Sequence, residues 1–102
     1  MAGIHVANCN LVTFQGATLP QMPPVWSQSM DNPTTTTLAA QGEQSSVFVI
    51  DADVDVFVAV GTSPNAGNTS GEGQNARLKV RAGTTREVFC RPGHKLSWVV
   101  AT

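Results

Sequence analysis

The sequence predicts an all-β protein, an antiparallel β-sandwich of jelly-roll-like form with about seven or eight short strands. Three observations carry that expectation. Apolar residues occupy every second position in Val54, Val56, Val58 and Val60, and again in Leu96, Trp98 and Val100, which is the period of a strand and not of a helix. Val47-Phe48-Val49-Ile50 is a short apolar run rich in β-branched residues. Gly and Pro punctuate the later runs at Ala82-Gly83-Thr84 and Arg91-Pro92-Gly93-His94, where Gly supplies positive φ and Pro pre-sets the turn.

Taken in chain order, Ile4-His5-Val6 and Leu11-Val12-Thr13-Phe14 read as two strands. Leu19 to Trp26 carries Pro20, Pro23 and Pro24 and is expected to run extended. Ser27 to Asn32 is the one stretch with room for a single helical turn, closed by Pro33. Thr34 to Leu38 is β-branched and uncharged, a further strand. Asp51 to Asp53 is expected to turn the chain between Val47–Ile50 and Val54–Val60. Thr62 to Ala76 is dominated by Gly, Asn, Ser and Thr, so it buries too little apolar area to offset its ordering entropy and is expected to be mobile. Leu78 and Val80 alternate with Arg77, Lys79 and Arg81, Val88 alternates with Cys90, and Leu96, Trp98 and Val100 follow; with short turns between them, these three strands are expected to form a meander.

A chain of 102 residues suits a single domain spanning residues 1–102, with residues 1–33 as a candidate extended N-terminal arm. With 6 basic and 7 acidic residues and no concentrated positive patch, nucleic acid is not an expected partner. The first residues lack a basic segment followed by an apolar one, and no run of about 18 apolar residues occurs, so neither signal-directed export nor a membrane span is expected. Cys9 and Cys90 are then expected as free thiols made in a reducing cytoplasm, with Cys90 buried in phase with Val88.

Catalytic chemistry finds little footing. A triad needs a base, and the two histidines are His5, near the terminus, and His94, in a Pro-Gly turn. The pairs His5/Cys9 and Cys90/His94 are each four residues apart, but they do not follow the usual zinc spacing. Asp51-Ala52-Asp53-Val54-Asp55 opens like a calcium loop, yet the sixth and twelfth positions are Val56 and Thr62 rather than Gly and an acid, so the carboxylates are expected to be solvated or to cap backbone amides. Asn68-Thr69-Ser70 matches a glycosylation sequon, which matters only in a secreted chain. No catalytic residue, metal ligand or cofactor site is therefore assigned. Trp98 alternates with core residues, whereas Trp26 follows the prolines and is expected to be an exposed anchor. The expected partner-binding residues are Met22, Pro23, Pro24, Val25 and Trp26.

The stretch from Val47 to Ala66, with Gly61 and Pro64-Asn65-Ala66, then Arg81-Ala82-Gly83-Thr84 and Cys90-Arg91-Pro92-Gly93-His94-Lys95-Leu96, resembles the layout of small tailed-phage structural proteins of the capsid decoration (cement) type. The resemblance covers residues 46 to 101, roughly half the chain, and is a pattern of strands and turns. It implies a non-enzymatic virion component on the capsid surface that binds the major capsid protein or other virion subunits, as a homo-oligomer, and stabilises the shell. Two other classes remain open, a carbohydrate- or receptor-binding sandwich and a small metal-dependent enzyme.

Overall fold

The computed structural model describes residues 3–20, 24–41, 46–68 and 71–101. Its longest strand, β1 (Ile4–Phe14), lies inside the larger of two sheets. Ile4, Val6 and Asn8 point inward and are buried, and the period of two sends His5, Ala7, Cys9 and Leu11 to the outer face. One edge of β1 is shared by β2 (Ala17–Pro20) and β3 (Trp26–Met30); the other pairs with β4 (Ser46–Ala52). Gln15 and Gly16, both at positive φ, make the two-residue loop between β1 and β2. Within the expected arm of residues 1–33, the segments 4–14, 17–20 and 26–30 are strands of this sheet, because the inward residues of β1 and β3 cannot leave water except against the core. The expected helical turn at Ser27 to Asn32 is replaced by β3, in which Trp26 and Met30 are buried on the core side. No helix among the described residues is long and apolar enough to cross a membrane.

After β4 the chain turns through residues 53–55 into β5 (Val56–Gly61), the middle strand of the smaller sheet, flanked by β6 (Leu78–Val80) and β8 (Lys95–Val100). Asp51 is therefore a strand residue and not the start of the turn. Strand β7 (Thr85–Cys90) joins the larger sheet beside β4. The last three strands are not a meander: β6 and β8 lie on opposite sides of β5, and β7 crosses to the other sheet and back. Each crossing is a four-residue turn closed by a backbone bond, Thr84 N to Arg81 O at 3.2 Å and His94 N to Arg91 O at 3.0 Å. Gly83 and Gly93 sit at φ 76° and 89° in the third position of these turns, a region that L side chains enter only with strain.

Thr34 to Leu38 forms a single bridge, Thr35 to Ser97, instead of the expected strand. The segment still covers the outer edge of β8: Thr36 N donates to Leu96 O at 2.8 Å, Trp98 N to Thr34 O at 3.1 Å and Ala40 N to His94 O at 2.7 Å. The hydroxyl of buried Thr36 accepts the Leu96 amide at 3.1 Å, so a side chain takes a ladder position that a carbonyl would otherwise fill.

Between the sheets lie Trp98, Phe48, Ile50, Leu96, Val6, Val56 and Val80, all essentially without solvent contact. One polar knot crosses this core. Asn8 Nδ2 donates to Ser46 Oγ at 3.0 Å and to Val47 O at 3.3 Å, and Asn8 Oδ1 accepts the Gln41 amide at 3.1 Å. Ser46 Oγ lies 3.3 Å from Cys90 Sγ. Every member gains a partner, as buried polar groups require. The loop expected to be mobile is tied down in its first half: Ala66 is buried, its amide donates to Ser97 Oγ at 3.1 Å, and Arg77 Nη1 donates to its carbonyl at 3.2 Å. A single 3-10 turn, Gly73–Asn75, follows.

Candidate docking surface

The outer face of the larger sheet is built from the alternate residues of β3, β1, β4 and β7. Register places Ser29, His5, Asp51 and Thr85 in one row, Ser27, Ala7, Val49 and Glu87 in the next, and Cys9, Val47 and Phe89 in a third. The face is therefore divided. Its polar half holds His5, whose Nδ1 lies 2.8 Å from Ser29 Oγ, together with Asp51. Its apolar half holds a second small cluster in which Ala7, Cys9 and Val47 are buried beneath Leu11 and Val49, although they point away from the main core. Phe89, opposite Val47 in register, is 56% exposed. Pro20 and Pro24 line a groove of about 470 Å³ over Ala7, Cys9 and Val49, with His5 and Glu87 at its margins.

Of the expected partner-binding residues, Met22 and Pro23 lie outside the described residues. Pro24 reaches the groove and Val25 is 37% exposed. Trp26 is not an exposed anchor. It is 8% exposed, its ring lies 5.8 Å from that of Phe48 at 55°, and its Nε1 donates to Ala39 O at 2.9 Å. The proline stretch delivers Trp26 into the first position of β3, whose alternation with Met30 turns the indole inward. Trp98 is buried, as its alternation with Leu96 predicts. Phe89 was legible as the surface aromatic: if Val88 and Cys90 face the core, Phe89 must face out.

Cys9 and Cys90 are both free and buried. Burial pushes both thiols up from the ordinary range; Glu87 adds to the effect at Cys9, and the Ser46 hydrogen bond opposes it at Cys90. Such thiols are poor nucleophiles. His94 Nδ1 accepts the Arg91 amide within its own turn at 3.4 Å, while Cys90 belongs to the Asn8–Ser46 knot. Asp51, on the outer face, and Asp53, whose amide donates to Gly3 O at 3.0 Å, both line a hollow with His5 and Asp31, whereas Asp55 Oδ1 accepts the Ala82 amide at 2.8 Å, the backbone capping the sequence suggests. Among the described residues no group of three or more His, Cys, Asp or Glu is placed to hold a metal ion. No protein-family model, curated protein or solved structure matches the chain.

Proposed function

We propose that this chain is a non-enzymatic structural module of a tailed-phage virion, a decoration (cement) protein that docks on the assembled shell and stabilises it. The observation that supports this reading is the apolar half of the outer face, where Phe89, 56% exposed, stands opposite Val47 in register and half-buried Leu11 and Val49 pack on the cluster of Ala7, Cys9 and Val47. A contiguous apolar patch on an otherwise polar sheet face marks a surface that another protein covers. The low charge of the patch makes apolar contact, rather than ion pairing, the source of affinity, with the major capsid protein or another virion subunit as partner. Binding to the shell and not to free subunits then raises shell stability by mass action. A sugar-binding face needs exposed aromatic platforms, and among the described side chains Phe89 is the exposed one.

The test is retention on emptied phage capsids, with soluble glycans and divalent cations titrated in parallel. Val49→Lys places a charge in the middle of the groove and should weaken capsid binding at least tenfold, about 1.4 kcal/mol. Asp51→Asn, on the polar half, should leave binding unchanged, and moderate salt should not release the protein. Undiminished capsid binding by the Val49 variant, or saturable binding to glycans alone, would remove the basis for this reading.

A further inference from the structure

We propose that two copies of this chain pair edge to edge through β7, so that their larger sheets join across a twofold axis into one continuous antiparallel sheet. This interface uses the free edge of the strand, not the groove of the outer face, although Glu87 borders both and Phe89 stands on that face. Among the described residues β7 pairs only with β4, leaving its other edge without a strand. A bare edge is a template for another strand unless something covers or distorts it. The edge of β8 is covered by the Thr34 to Ala40 segment, and β6 is only three residues long. β3 is flanked by Thr37, whose amide and hydroxyl both donate to Gln28 Oε1. β2 is four residues long and ends in Pro20, whereas among the described residues no segment covers the six-residue β7, along which Thr85, Arg86, Glu87 and Phe89 are exposed.

Among registers centred on Arg86 to Phe89, its charge pattern selects one. A twofold axis perpendicular to the sheet preserves the two faces, so outward residues of one copy oppose outward residues of the other. Centring the axis on Arg86 or on Glu87 sets that charge against itself, and like charges directly opposite are unfavourable. Centring it on Val88 sets Glu87 against Phe89. Centring it on Phe89 stacks the two Phe89 rings at the axis and brings Glu87 opposite the second copy's Arg91 on both sides. On the inner face, Val88 then meets the second copy's Cys90. Arg91 directly follows β7, is exposed and opens the 91–94 turn, so this pairing extends the strand by one residue in the dimer. The same pairing joins the two apolar strips around Phe89 side by side and covers the most exposed large hydrophobic side chain of the described residues.

Sedimentation equilibrium over a range of protein concentrations tests the proposal. The wild type should dimerise, and Glu87→Arg or Arg91→Glu alone should raise the dissociation constant at least tenfold. The combined exchange, E87R with R91E, should restore it. Both side chains are exposed, so each variant should keep the wild-type melting profile at protein concentrations too low for the wild type to dimerise. A wild type that stays monomeric at high micromolar concentration overturns the proposal. A dimer indifferent to both single reversals, or a combined variant no better than either alone, overturns it equally, because another surface or another register would then hold the copies together. Shell binding is scored separately on emptied capsids, so failure of the dimer and failure of the shell-binding reading are distinguishable.

Discussion

Replacing Trp26 with Ala should damage the fold itself, which is the opposite of what an exposed anchor would do. The indole is 8% exposed, tilted against Phe48 at 5.8 Å, and bonded through Nε1 to Ala39 O at 2.9 Å. Truncating a core Trp to Ala costs about 3–5 kcal/mol, a figure that includes the cavity left behind. The Ala39 carbonyl also loses its donor, and an orphaned, partly buried acceptor costs about 1–3 kcal/mol where water cannot replace the bond. A domain of this size has about 5–15 kcal/mol in all, so a loss near 4 kcal/mol removes a large part of it. At roughly 4–8 °C per kcal/mol, the melting temperature should fall by roughly 15–30 °C. Trp26→Phe separates the two contributions, since it refills most of the volume and loses only the hydrogen bond, about 1–3 kcal/mol. Urea unfolding followed by the fluorescence of Trp98, with circular dichroism as a second probe, measures both variants. A Trp26→Ala midpoint within about 1 kcal/mol of wild type would refute the packing described for this ring and return it to the surface.

Asn8→Ala should cost about 2–3 kcal/mol, because Ser46 and the Gln41 amide both lose a buried partner; faster hydrogen exchange at Gln41 would accompany it, and unchanged exchange would contradict the knot. Both thiols should react slowly with a disulfide reagent in the native protein and quickly once it is unfolded. Their folded pKa values are raised, so the unfolded chain gives up these protons first; stability should be intact below the ordinary thiol value of 9.0 and fall as pH rises past it, and a rise in urea midpoint over that range would contradict the assigned burial. Gly93→Ala meets no neighbouring atom but must hold φ near 89°, so about 1 kcal/mol should be lost from strain alone, read as a shift in urea midpoint without a change in slope. Ser97→Ala should free the Ala66 amide, and proteolysis within the loop of residues 62–76 should become faster while cleavage elsewhere does not.

Alternation along the chain was enough to name β4 to β8, parts of β1 and most of their inward faces, whereas β2 and β3 were not legible from it. Val56, Val58 and Leu96 with Trp98 are buried as their period requires, and Cys90 is buried in phase with Val88. The turn residues were equally legible, since Gly83 and Gly93 stand where only positive φ closes the turn. Trp26 misled because the prolines before it dominate its local context, while the alternation with Met30 that turns it inward belongs to the strand that follows. Thr34 to Leu38 misled differently: β-branched composition favours extended backbone but cannot say whether a carbonyl or the Thr36 hydroxyl will accept the Leu96 amide.

Local chemistry determined that this chain forms short strands, which side chains of each strand share a face, and where the chain reverses. Only tertiary structure decided which strand lies beside which. A four-residue turn can close a hairpin within one sheet or carry the chain across to the other, and the choice at residues 81–84 and 91–94 depends on which hydrogen-bonding edges are free: β5 offers both of its edges to β6 and β8, and β4 offers its second edge to β7. The same partition exposes Phe89 and, among the described residues, leaves the second edge of β7 without a strand. Strand identity follows from a period of two read along a few residues, but strand partnership is a contest among edges far apart in sequence, settled by the burial of the whole core at once.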